Sequence, residues 1–343
     1  MTDLVPTPEQ RELAQAVRDL LTRRAGSSAV RTAMESADRY DRALWSTLCD
    51  QIGVPALAVP ESRGGAGFSL AETWVVLEQL GWSLAPTPLL ASIVSAAALE
   101  AVGGSELCAR VASGELAALA TGATWNGTSL SGSLSPVLWG RQATILLVAA
   151  EHAAGIGLFH VDADATGLTR TALTPLDPTT PFARIDLTEV PAHSLTLDAT
   201  AALAAAGRAG SLAATALQVG CAQRGLDMTV AYTKEREQFG RPIGSFQALK
   251  HRMADLFVRV QMSRSASWAA VQARVHDTPG ADRLARAAAS YCAEAADTVA
   301  AETVQLHGGI GITWEHDAHL VLKRARVLRD LFGAPHRHRE GLV

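Results

Sequence analysis

The residues with chemistry to offer stand mostly in the last third of the chain. Arg236, Gln238 and Phe239 come close together, followed by Ile243 and Phe246, and a second group is formed by Gln305, Gly308 and Gly309. A guanidinium presents a planar fork of donors that fits paired phosphate oxygens, which a lysine ammonium cannot match. Phe239 adds a flat apolar surface. Gly308 and Gly309 lack a Cβ, so a ligand can approach their backbone closely. Gln305 can donate to a phosphate and accept from a ring. These types together suit a cofactor with a diphosphate and an aromatic head. The plainer alternative is that Arg236 and Phe239 cap and pack a helix end, and that the glycine pair only stops a helix.

Other reactive residues point to less. His316 and His319 share a helical face at i, i+3, but no third ligand accompanies them, so no metal site is expected. Cys49, Cys108, Cys221 and Cys292 are scattered without a C-x-x-C pair and read as reduced thiols of a cytoplasmic protein. The polar N-terminus MTDLVPTPEQRE matches no targeting signal. No apolar run reaches membrane-spanning length, the Ala-rich residues 197–207 coming nearest. A net charge of −4 gives nucleic-acid binding no electrostatic support. With 48% hydrophobic, 19% charged and 5% aromatic residues, the 343-residue chain is no disordered protein; its small apolar residues suit close-packed helices.

Elements able to hold these groups can be traced along the chain. Thr7-Pro8-Glu9-Gln10 is a capping box, and Leu13, Val17, Leu20 and Leu21 follow on one helical stripe. Leu44, Trp45 and Leu48 mark a second helix. The three glycines and proline of residues 60–67 make a loop, Ser69 to Glu72 opens a helix to about Leu80, and helices are expected over 89–102 and 106–112. From Gly114 to about Leu197 short Thr/Val/Leu runs at 144–148, 158–161 and 182–187 predict a small antiparallel barrel or sandwich. Long helices are then expected over 198–237, from Phe246 through Val260, over 281–307 and over 317–331, a four-helix bundle. The fold class is therefore mainly α with a central β domain, divided as an N-terminal helical domain 1–114, a β domain 115–197 and a C-terminal bundle 198–343.

This order, with its motifs, resembles the acyl-CoA dehydrogenase family. Residues 232–243, YTKEREQFGRPI, are similar to the family's R-x-x-F-G segment; Gln305-Leu306-His307-Gly308-Gly309-Ile310-Gly311 is similar to its Q-x-x-G-G-x-G turn; and Pro60 to Gly67 is similar to its P-E-x-x-G-G-x-G loop. The resemblance implies FAD as cofactor, an acyl-CoA substrate, and roles for Arg236, Gln238, Phe239, Gln305 and Gly309, with Ile243, Phe246 and Gly308 beside them. In the family these residues reach across a subunit interface to FAD seated mainly in the partner.

The chain departs from the family where its own active centre would be. The T-E-P-x-x-G-S segment has no counterpart in residues 116–127, and the nearest approach to the later W-I-T motif is the stretch around Trp139. Aligning 323–332 on the segment that ends in the catalytic glutamate places Phe332 before Gly333, and Phe cannot accept a proton. The other family position for that base falls near Gly210 and Ser211. Asp330 stands two residues early on a different helix face as a substitute base. His336 and Arg337 are candidates for CoA phosphates or the acyl group. Three readings stay open: the base-lacking partner in an α2β2 dehydrogenase of the steroid side-chain kind, a homo-oligomeric flavoenzyme with an unusual base, and a flavin-free relative with a non-redox or scaffold role.

Overall fold

The computed structural model describes residues 5–342; the start of the N-terminal stretch read above as free of a targeting signal lies outside them. The chain forms two compact units. One gathers the segment up to Thr32, Leu70–Ala85 and everything from Ser211 on, and the other gathers Ala33–Ser69 and Pro86–Gly210.

The first unit is a helical assembly. α1 (Pro8–Arg24) begins with the expected capping box: the Gln10 amide donates to Thr7 Oγ1 at 3.3 Å and the Thr7 amide to Gln10 Oε1 at 2.9 Å. α2 (Ser27–Glu35) follows. α4 (Leu70–Ser83) is buried on nearly every face, and α7 (Thr200–Glu235) runs for 36 residues. These two helices cross in backbone contact, because a Cβ on Gly220 would fall 1.9 Å from the Glu78 carbonyl and one on Gly81 2.3 Å from that of Leu217. α8 (Gln247–Val275), α9 (Ala281–His307), α10 (Ala318–Asp330) and the short α11 (Pro335–Glu340) complete the unit, with α9 packed against α8, α10 and α11. The α9 core face is rich in alanine, with Ala288, Ala289, Ala293, Ala295, Ala296 and Ala300 buried, which lets neighbouring backbones come close. Pro335 opens α11 at its first turn, where its missing N–H has no partner to lose.

The second unit holds the sheet and the remaining short helices: α3 (Arg42–Thr47), which runs on into a π-turn over Leu48–Ile52, α5 (Leu89–Ala101) and α6 (Ser105–Ala112). In the 60–67 loop, Gly64 and Gly67 have φ of 80° and 68°, and a Cβ on Gly65 would lie 2.0 Å from the Val59 carbonyl, so packing within the chain already requires these glycines. The sheet has seven strands: β1 (Ala117–Trp125), β2 (Ser129–Leu138), β3 (Ile145–His152), β4 (Gly155–Asp162), β5 (Leu168–Ala172), β6 (Phe182–Pro191) and β7 (His193–Thr196). Their order is β5-β6-β2-β1-β3-β4-β7, open at both ends.

The antiparallel barrel or sandwich is thus corrected to one open, mixed sheet. β1 and β3 run parallel, Ala117 opposite Ile145, while every other pairing is antiparallel. The physical reason is that side-chain alternation is the same in either strand direction. β2 turns back from β1, and the chain then re-enters beside the other edge of β1, where the amides of Thr144 and Ile145 both donate to the Leu116 carbonyl. Ile145 to Ala150 are buried without a break, as fits a strand covered on both faces.

Candidate functional site

α7 ends at Glu235 and a tight hairpin follows. Glu237–Gln238 (β8) pairs with Arg241–Pro242 (β9), and the two connecting residues, Phe239 and Gly240, have φ of 53° and 75°. Two left-handed residues in a row are the signature of a turn whose twist matches a hairpin. Glycine accepts this freely, but a phenylalanine there costs about 1 kcal/mol, and the ring it carries is 91% exposed. The hairpin is pinned at its base, where the Ile243 amide donates to the Arg236 carbonyl at 2.8 Å and the Arg236 amide to Tyr232 at 2.8 Å. Gly244 lies against Thr233, whose carbonyl oxygen would be 2.9 Å from an added Cβ. Phe246, at the α8 N-cap, meets Phe239 edge-on at 6.1 Å and lies 4.1 Å beneath the Arg241 guanidinium. The Gln238 carboxamide donates to the Glu237 carbonyl at 2.8 Å. The Arg236 guanidinium is exposed and makes no ion pair or hydrogen bond among the described residues.

The second group sits at the end of α9. Gly308 caps the helix with φ 61° and ψ −141°, and an added Cβ on Gly308 or Gly309 would meet nothing within 4 Å. Gln305, Gly308 and Gly309 are exposed. His307, by contrast, is buried: its Nδ1 lies 2.6 Å from the Thr303 carbonyl and its ring stacks on Tyr232 at 4.6 Å. Burial holds its pKa below the ordinary histidine value, against the pull of the Thr303 carbonyl, so the stack contains a neutral imidazole at neutral pH. Tyr232 lies one helical turn before Arg236, and His307 lies between Gln305 and Gly308. This stack brings the two groups to one end of the helical unit. Tyr232 and His307 each stand inside one of the two motifs, but nothing in the sequence pairs them.

The His316 ring meets that of His307 at a tilt, 4.5 Å between centroids, and uses Nδ1 to accept the Ala318 amide, while His319 Nε2 faces the Trp314 carbonyl at 3.1 Å. Among the described residues no three His, Cys, Asp or Glu side chains gather as a metal set. Between these histidines, Asp317 collects the Ser27 hydroxyl at 2.6 Å, Arg31 at 2.9 Å and Arg224 at 3.4 Å. Burial would raise its pKa, but Ser27 and the two guanidinium groups prevail and hold it below the ordinary carboxylate range.

At the C-terminal end, Phe332 and Gly333 are half-buried and Asp330 is exposed at the end of α10, its carbonyl accepting from the Gly333 amide at 3.2 Å. His338 on α11, not His336 or Arg337, is the tail residue against this turn: its Nε2 lies 3.3 Å from where a Gly333 Cβ would be, and burial lowers its pKa. Gly210 and Ser211 lie inside α7 with no carboxylate. Trp139 is 2% exposed and packs edge-on against Tyr40 at 5.6 Å, a core residue of its unit. Where a T-E-P segment would enter the sheet, β1 carries a register shift between Thr121 and Ala123, with Gly122 at φ 102°.

A helical unit with exposed motifs at the ends of α7 and α9, in one chain with a second unit built on a mixed sheet and its own helices, defines a class. Residues 7–117 match the acyl-CoA dehydrogenase N-terminal domain and residues 200–342 the acyl-CoA dehydrogenase C-terminal domain. The chain belongs to the acyl-CoA dehydrogenase family. It is 41% identical over 332 residues to acyl-CoA dehydrogenase IpdE2 of Mycolicibacterium smegmatis, covering 95% of this chain and 96% of that one. Among solved structures it is similar to the ChsE4–ChsE5 complex from Mycobacterium tuberculosis, with a TM-score of 0.89 and 31% identity over 99% of this chain and 97% of that one. A steroid acyl-CoA dehydrogenase, the Tcur3481–Tcur3483 variant, gives a TM-score of 0.87 and 31% identity over 97% and 96% of the two chains. Among the described residues no helix is long and apolar enough to cross a membrane.

Proposed function

We propose that this chain is the base-lacking subunit of a heteromeric acyl-CoA dehydrogenase, completing across the interface an FAD site held mainly by its partner. The observation that carries the reading is the pairing of the Arg236 hairpin with the Gln305–Gly309 turn. Arg236, Phe239, Gln305, Gly308 and Gly309 are exposed and the Tyr232–His307 stack joins the two segments, while the turn at Phe332 offers no carboxylate. The donor set fits the diphosphate and adenine end of FAD: a free guanidinium, an exposed ring, an exposed carboxamide, and a glycine backbone with open space in front of it. FAD, when bound, supplies the hydride acceptor for α,β-dehydrogenation of an acyl-CoA thioester.

In this role Arg236 neutralises diphosphate charge, Gln305 donates to it, and Gly308 and Gly309 let the backbone close in. Phe239 and Phe246 offer apolar surface, with Gln238 and Ile243 holding the hairpin. Phe332 can take no proton, so the partner's carboxylate removes the α-proton. The exposed Phe257, Val258 and Met262 of α8 support a subunit interface on this unit. The likeness to a two-component complex and to a steroid enzyme supports an α2β2 assembly acting in steroid degradation. We keep the division into 1–114, 115–197 and 198–343, supported by the two domain matches, and a cytoplasmic location, supported by cysteines that form no disulfide among the described residues.

The second reading, a homo-oligomeric flavoenzyme with an unusual base, draws support from the imidazole of His338 beside the Phe332–Gly333 turn. One experiment separates the two. Purified alone, the protein is expected to show little flavin absorption, and to gain stoichiometric FAD and activity only when co-expressed with a neighbouring, intact dehydrogenase chain. A flavin-loaded homo-oligomer that oxidises an acyl-CoA unaided would favour the second reading and overturn the first.

A further inference from the structure

A cavity of about 430 Å³ lies in the second unit, between the segment leading into α3 and the starts of β1 and β3. Asp38, Tyr40 and Arg42 line one side; Glu115, Arg141 and Gln142 line the other. Most of its charge is already matched. Arg42 grips Asp38 with two bonds of 2.5 and 2.8 Å, and Arg110 grips Glu115 with two of 2.9 and 2.8 Å. Arg141 is different: it is exposed and makes no side-chain hydrogen bond or ion pair among the described residues. Tyr40 is buried and lines the cavity, and its hydroxyl makes no hydrogen bond among the described residues.

The loop that presents Arg141 is built to stay in place. Trp139 starts it with φ 56°; its amide donates to the Pro181 carbonyl at 3.0 Å, and its own carbonyl takes the Gln142 and Ala143 amides at 3.1 Å each. From β5, the Arg170 guanidinium donates to the carbonyls of Gly140 and Arg141 at 3.4 Å and to that of Ala143. Arg170 is largely withdrawn from water, and its Nε and Nη2 have no partner. Desolvating a guanidinium in this way is unfavourable; what it secures is one conformation for the 139–143 turn. Gln142 then ties the turn to the opposite wall by donating to the Asp38 carbonyl at 3.2 Å.

We propose that this cavity binds a small organic monocarboxylate, its carboxylate paired with the Arg141 guanidinium and accepting from the Tyr40 hydroxyl, its apolar part lying over Leu116 and the Tyr40 ring. A planar carboxylate matches a single guanidinium fork. Arg42, Arg110 and Arg141 against the carboxylates of Asp38 and Glu115 leave one net positive charge, part of it already felt by Asp38, which balances a single negative charge, and a phosphate dianion would be left with uncompensated repulsion. The volume falls in the range of small-molecule sites.

Isothermal titration of the full-length protein with hexanoate, hexanamide and hexyl phosphate tests this. Hexanoate is expected to bind, with the amide and the phosphate weaker by about tenfold or more, the worth of one charge-assisted pair. Arg141→Gln, at an exposed position, should weaken hexanoate by a similar factor without moving the thermal midpoint. Absence of hexanoate binding, a preference for hexyl phosphate, or unchanged affinity in Arg141→Gln would each overturn the assignment. The last outcome would trace the heat to another site.

Discussion

Arg236 and Phe239 owe their exposure to a backbone that few residues adopt. The hairpin places Phe239 in a left-handed conformation and holds its ring 91% exposed, an arrangement with an energetic cost. The edge contact with Phe246 returns only part of that cost, so such strain at an exposed surface fits a contact made with something outside the chain. In the proposed role, Arg236→Ala should weaken FAD retention by the assembled complex by on the order of tenfold, the loss of a charge-assisted pair. The variant should keep the same thermal midpoint, because the side chain has no partner here to lose. Flavin release measured by gel filtration reads the first effect, and unchanged retention would remove Arg236 from the site. His307 could be named from the sequence only as a letter inside a glycine turn. Its burial against Tyr232 depends on two helices ending at the same level, which no local pattern encodes.

Helix boundaries followed sequence signals closely wherever capping chemistry was present. The Thr7 box starts α1, and the run 281–307 stands as read, stopped by Gly308. In the helix expected from Phe246 through Val260, Phe257 lies exposed although Leu256 and Val260 close by are buried. A stripe shows that a face is apolar, not that something within the same chain covers it. Glycines inside α4 and α7 carried no obvious message either, yet Gly81 and Gly220 are where these helices touch. Gly220→Ala should therefore destabilise the protein by on the order of 1–3 kcal/mol or more, because the clash is with backbone that cannot rotate away. Chemical denaturation checks this, and a change within about 0.5 kcal/mol, as for an ordinary surface site, would mean the crossing is looser than described. In the sheet, the short apolar runs marked strands correctly but not their direction, since parallel and antiparallel neighbours demand the same alternation.

Across the whole molecule, buried histidines set the expected response to acid. His160, His307, His316, His319 and His338 are all held below the ordinary value, chiefly by burial. The unfolded chain therefore binds protons more tightly than the folded one. The stability these groups contribute is present above about pH 6.5 and is lost as pH falls toward their folded values. A second loss should begin below about pH 4, where Asp317 and Glu115, both held low in the folded chain, become protonated. Thermal midpoints measured from pH 8 down to pH 5 at constant ionic strength should decline; a flat or rising profile would show that these imidazoles are more hydrated than their packing indicates.

What the sequence alone determined was local and chemical: helix periods, caps and stops, the residue types in the two cofactor motifs, and the plain fact that Phe332 carries no carboxylate. These follow from side-chain chemistry and short-range backbone preference, which a neighbour far along the chain does not alter. The tertiary structure alone decided the parallel meeting of β1 with β3, the Tyr232–His307 stack that joins two separate motifs, and the turn held by Arg170 that leaves Arg141 unpaired at a cavity. Each of these sets residues distant in sequence side by side, and that adjacency is fixed by how the packing of the whole unit minimises buried, unmatched surface.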